Sequence, residues 1–155
     1  GISVSGVDLR LIDRARLHLR PFPIKVRPNH SIFRGRLWFQ GQPIGGAVDI
    51  VWCKPDEDSM TDEDWEAGHA ASLGVYLNGK AIPGHDDRGR PITSDSFLLL
   101  FNAQSESVEW IIPEEYGKAW CLVVDTGRLE PEAVQKEVGD RVTTAPRTVI
   151  VLKEG

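Results

Sequence analysis

The sequence predicts an all-β protein, an antiparallel β-sandwich behind a short helical or irregular N-terminal leader. Three observations carry that prediction. Short apolar segments rich in β-branched and aromatic residues recur between residues 36 and 152, at lengths that suit strands. Turn chemistry separates them, in Gly41-Gln42-Pro43, Asn78-Gly79, Pro83-Gly84, Gly89-Arg90-Pro91 and Asp125-Thr126-Gly127. Only two stretches between the strands read as helical, which disfavours alternating strand–helix units.

The elements follow in order. Leu9, Ile12, Ala15 (or Arg16) and Leu19 stand at near-helical spacing and predict one amphipathic helix over 8–20. Pro21, Pro23 and Pro28 then forbid regular helix until about Asn29, so 1–28 is a leader and 29–155 the sandwich domain. Strands are expected over 36–40 and 47–53. Thr61-Asp62-Glu63-Asp64 opens like a capping box, a hydroxyl at the N-cap with an acid three residues on. Strands follow over 73–78 and 96–103. In the latter, the unbroken run from Phe97 to Phe101 suits a strand covered on both faces, although periodicity alone does not separate it from a buried helix. Residues 107–112 come after a short polar break, as a hairpin partner would. A strand over 119–125 precedes 129–138, where early Pro131 and the acids Glu130 and Glu132 suit a helix start or a loop. A last strand covers 147–152.

The bulk properties exclude several classes. At 155 residues the chain fits one domain with a continuous core, and 41% hydrophobic with 26% charged residues is a globular composition. A net charge of -5 argues against a general nucleic-acid binder, which would carry a basic face. No apolar run reaches transmembrane length, and the first six residues lack a charged region followed by an apolar one, so no signal peptide and no membrane partner are expected. Cys53 and Cys121 sit in apolar strand segments outside any CxxC or Cys/His ligand spacing. They read as buried, reduced thiols of a cytoplasmic protein, with a disulfide as the alternative.

The search for chemistry is mostly negative. Glycosidic hydrolysis needs two carboxylates at a defined separation across a cleft. With 23 acids in the chain, sequence neighbours such as Glu114-Glu115 or Asp62-Glu63-Asp64 mean little and read as solvated turn charges. His85-Asp86 lies in a Pro- and Gly-rich loop and reads as hydrophilic connection. Asp86, Asp87 and Asp95 fail the spacing of an EF-hand. No phosphate-binding Gly-rich loop and no nucleophile elbow is present, so no metal and no cofactor is expected. Of the five tryptophans, Trp38, Trp52, Trp110 and Trp120 lie in strand segments and suit the core. Trp65, set among acids, is open between a packing plug and a contact surface.

Asp95-Ser96-Phe97-Leu98-Leu99-Leu100-Phe101-Asn102-Ala103, followed by Val108-Glu109-Trp110-Ile111-Ile112-Pro113, resembles a signature near the end of bacterial isoamylase-type glycogen debranching enzymes. His30 to Gly41, Asp49-Ile50-Val51-Trp52, Met60 to Trp65, Leu73 to Gly79, Trp120 to Thr126 and Val149 to Leu152 extend the likeness in order. The resemblance implies the antiparallel β-sandwich that follows the family's catalytic (β/α)8 barrel, in an enzyme that hydrolyses α-1,6 branches of glycogen or limit dextrin. No family catalytic residue falls on this sequence. The leader departs from the family, because Pro21-Phe22-Pro23 interrupts a helix there and Ser31 replaces a proline. The expected partner is the barrel, and the expected docking surface is Ile32, Phe33 and Phe39 from the junction with Trp65 nearby. Detached from a barrel, such a surface would promote self-association. The competing reading is a free-standing carbohydrate-binding module that holds α-glucan on exposed aromatics.

Overall fold

The computed structural model describes residues 28–34, 39–41, 43–44, 46–56, 59–63, 71–128 and 134–155. The leader helix expected over 8–20, Trp38 and Trp65 lie outside these residues. In chain order the strands are β1 (Pro43–Ile44), β2 (Ala47–Val48), β3 (Ile50–Cys53), β4 (Ser72–Leu77), β5 (Phe97–Asn102), β6 (Val108–Ile111), β7 (Ala119–Asp125), β8 (Gln135–Glu137), β9 (Arg141–Thr144) and β10 (Thr148–Glu154). The main sheet runs β3-β4-β5-β10-β7-β8, a second sheet pairs β6 with β9, and β1 with β2 forms a small ribbon. Every pairing is antiparallel, so the all-β sandwich is the observed architecture.

The apolar run at 97–101 is central because it satisfies two cores at once. Strand alternation sends Leu98 and Leu100 inward, where they meet Tyr76, Trp110, Ile112, Trp120, Val142, Ile150 and Leu152 between the two sheets. Phe97 and Leu99 face the other way and pack in a second cluster with Ile32, Val75, Leu77, Ile82 and Val151. Gly74 on β4 suits this close packing, since a Cβ there would lie 3.2 Å from the Trp110 ring and 3.3 Å from Cys53 and would push both by a few tenths of an ångström. Gly79 is required strictly. A side chain on it would meet the carbonyl oxygens of Ser94 and Asp95 at 2.2 and 2.4 Å, where the loop returning to β5 crosses the end of β4.

Three sequence expectations are corrected. Residues 107–112 are not the hairpin partner of β5, which pairs with β4 and β10, while β6 pairs with β9 in the opposite sheet. Asn102 makes this crossing possible. Its buried side-chain amide donates to the carbonyls of Glu106 (2.8 Å) and Ala145 (3.0 Å), and its Oδ1 accepts the Gln104 N–H (2.9 Å), so the turning backbone keeps its hydrogen bonds. The strand expected over 47–53 divides at Asp49. Its fully buried carboxylate accepts the backbone N–H groups of Gln40 (2.7 Å) and Gly41 (2.9 Å), which bends the chain between β2 and β3.

The third correction concerns 129–138, where Gln135–Glu137 is a strand; residues 129–133 are outside the described ones. The strand expected over 36–40 falls partly there too, and Phe39 and Gln40 are not in a strand. Strand β9 was not expected at all, because Arg-Val-Thr-Thr is mostly polar. Its inward residues are Val142 and the fully buried Thr144, whose hydroxyl accepts the Trp110 indole N–H at 3.0 Å and reaches the Val108 carbonyl at 3.2 Å.

Candidate functional surface

Several polar groups among the described residues hold turns. Asp86 accepts the backbone N–H groups of Arg88 and Arg90, both at 2.9 Å, and pairs with the Arg90 guanidinium at 2.8 Å. Those bonds, to Arg90 above all, lower the Asp86 carboxyl below its ordinary value, and His85 beside it is exposed. The loop is a self-tied turn, as its composition suggested. Asp125 accepts the Gly127 N–H at 2.8 Å and the Arg128 guanidinium at 3.4 Å. Among the described residues no group of three or more His, Cys, Asp and Glu is placed to hold a metal ion. No helix of the described residues is long and apolar enough to cross a membrane.

A cleft of about 270 Å³ opens where β7 and β8 approach β9, lined by Leu122, Ile150 and Leu152 with Arg128, Lys136 and Arg141. Asp125 is its one carboxylate among the described residues, and the Arg141 guanidinium is paired with Glu109. An acid with a second carboxylate opposite it, the arrangement glycoside hydrolysis needs, is therefore not found in this cleft among the described residues.

The cysteines divide. Both are free thiols, and Cys53 is buried on β3 beside Gly74 of β4, where desolvation pushes its pKa up to about 11. Cys121 is half-buried, which corrects the expectation that both thiols are enclosed. The tryptophans divide too. Trp110 and Trp120 are core residues at 1% and 0% exposure, whereas Trp52 keeps 38% of its surface exposed. Trp52 belongs to a strand segment as expected, but its side chain points away from the sandwich interior.

Of the expected docking residues, the described ones, Ile32, Phe33 and Phe39, are buried or half-buried. Ile32 is 2% exposed and belongs to the cluster on the outer face of the main sheet, so it is core in this chain. Phe33 is half-buried, its ring 4.8 Å from that of Phe97, and Phe39 is half-buried against the same cluster. Trp65 lies outside the described residues. The turn Ser31–Arg34 is pinned there by His30, whose Nδ1 lies 3.0 Å from Asp95 and whose ring stands edge-on to Phe97 at 4.9 Å. Ile32 is buried because this short turn lays it directly on apolar strand residues.

The apolar exposure lies elsewhere on the same sheet face. Register places Trp52, Val75, Leu99 and Val151 in one row across β3, β4, β5 and β10. A second row, two residues along, holds Leu73, Phe101 and Val149. Trp52 at 38% and Phe101 at 37% are the exposed large hydrophobic residues among those described, and both stand on this face. The signal was present in the run at 97–101, because a strand apolar on both faces needs cover on both.

Residues 49–151 match the family model described as "Isoamylase, C-terminal". Glycogen operon protein GlgX homologs of Mycobacterium bovis and Mycobacterium tuberculosis are each 41% identical to the chain over 130 residues. The matched segment is 79% of this chain and 18% of those proteins, so the chain spans less than a fifth of their length. The sandwich and the family match, which runs from β3 into β10, agree: the chain belongs to the isoamylase C-terminal domain family.

Proposed function

We propose that the chain serves as the non-catalytic C-terminal β-sandwich of an isoamylase-type glycogen debranching enzyme and packs on that enzyme's catalytic barrel. The observation that carries this reading is the family match over 49–151, in a segment that is 18% of the mycobacterial relatives. The reaction proposed for the complete enzyme is hydrolysis of α-1,6 branches of glycogen or limit dextrin. It needs a protonated acid and a nucleophilic or basic carboxylate on opposite sides of the bond. In this reading the barrel supplies that pair, while the sandwich supplies a rigid wall against which the barrel is held. Two free thiols support a reducing, cytoplasmic setting.

The competing carbohydrate-binding reading draws on the exposure of Trp52, since aromatic faces stack on sugar rings. Electrophoresis of the purified chain through a native gel containing glycogen separates the two. A domain whose role is packing migrates as it does without glycogen. Retardation abolished by Trp52→Ala would instead establish a glucan-binding module.

A further inference from the structure

We infer that the outer face of the main sheet, around Trp52, Leu73, Leu99, Phe101 and Val149, is the surface that receives the catalytic portion; this rests on the packing function proposed above. The inner face is complete without a partner, because Trp110, Ile112 and Trp120 are at most 1% exposed. Among the described residues, the outer face is closed at one end. There the turn Ser31–Arg34 covers the Leu77 and Phe97 end of the sheet, while Phe101 stays 37% exposed at the other.

Chemistry distinguishes this face from the opposite side of the sandwich. On the small sheet the outward residues Glu109, Arg141 and Thr143 are exposed and polar, the half-buried Ile111 is the apolar one among them, and Glu109 pairs with Arg141 across the strands. Such a face is stable in water. The rows on the main sheet carry leucine, valine, phenylalanine and tryptophan; Val75 and Val151 are buried, Leu73, Leu99 and Val149 half-buried, and Trp52 and Phe101 exposed, and large exposed hydrophobic residues grouped on one sheet face mark an interaction site. The occupant fitting it is apolar, and the relatives hold more than four fifths of their length outside the matched segment. The approach is also from this side, since the turn that precedes β1 in sequence lies on the outer face.

The test uses the full-length Mycobacterium tuberculosis relative with its matched segment replaced by that of this chain. Calorimetry of the chimera should show the transplanted domain unfolding together with the rest in one transition. Phe101→Glu should split off a separate transition for the domain, and Phe101→Ala should do so partially. Both substitutions should leave the melting temperature of the isolated chain within a few degrees. Arg141→Glu, on the polar side, should leave the chimera's single transition intact. If Arg141→Glu splits the transition and Phe101→Glu does not, the packing function stands and the face is wrong. If the unsubstituted chimera already shows two independent transitions, the packing function itself fails. If sedimentation shows the isolated chain to be a dimer that Phe101→Glu dissociates, while the chimera is unaffected, a second copy occupies the face and the inference is overturned.

Discussion

Cys53 shows how one buried atom ties a local environment to a measurable pH dependence. Its thiol is held neutral because the thiolate would be desolvated, and the folded-state value of about 11 exceeds the ordinary thiol value of 9.0. The unfolded chain therefore loses this proton first, and stability falls as pH rises from 9 to 11, then levels off above. A shift of that size corresponds to roughly 3 kcal/mol at most. Urea unfolding of the wild type and of Cys53→Ala between pH 8 and 11 should show an alkaline slope in the first that is shallower in the second. The same burial predicts that Cys121 reacts with a thiol reagent well before Cys53 in native protein. Asn102 supplies a second residue-scale test. Asn102→Ala leaves the Ala145 and Glu106 carbonyls and the Gln104 N–H without their side-chain partner, and should cost about 3 kcal/mol by chemical denaturation. The burial of Cys53 was legible from its apolar strand segment; the role of Asn102 was not, because a lone Asn at the end of an apolar run carries no sign that three backbone segments converge on it.

Strand β5 was legible and its partner was not. An unbroken apolar run between polar ends announces a strand buried on both faces, and both faces of β5 carry core. Short sequence separation then suggested a hairpin with β6. The chain instead crosses to the other sheet, because Trp110 and Ile112 must fill the space beneath Leu98 and Leu100. Such a layer change is a tertiary fact that local spacing does not encode. Strand β9 was missed for a related reason, since its inward residues include a threonine whose role depends on Trp110 lying opposite. The difference between the two faces of β5 is testable. Leu98→Ala removes a side chain 1% exposed and should cost about 3–5 kcal/mol, whereas Leu99→Ala, half-buried on the outer face, should cost about half as much. Equal losses for the two in the isolated chain would mean that the outer face is already fully enclosed.

For the whole molecule, the family likeness carried by the segments from Asp49 to Leu152 located the sandwich, and the family match over 49–151 rests on the same stretch. The position of the exposed surface was less legible. Ile32, Phe33 and Phe39 are as apolar as Trp52 and Phe101, and only the fold decides that the first group closes one end of a sheet whose other end stays open. We propose a supporting role for the molecule, consistent with its closed inner core, its apolar outer face, and carboxylates that hold turns at Asp49, Asp86 and Asp125. The central expectation of this proposal is that the chain does no glycosidic chemistry of its own. The direct measurement is release of reducing ends from an α-1,6-branched dextrin by the purified chain. The account predicts a rate no greater than the buffer blank at any pH from 4 to 9, and turnover that disappears on replacing a single Asp or Glu of this chain would contradict it.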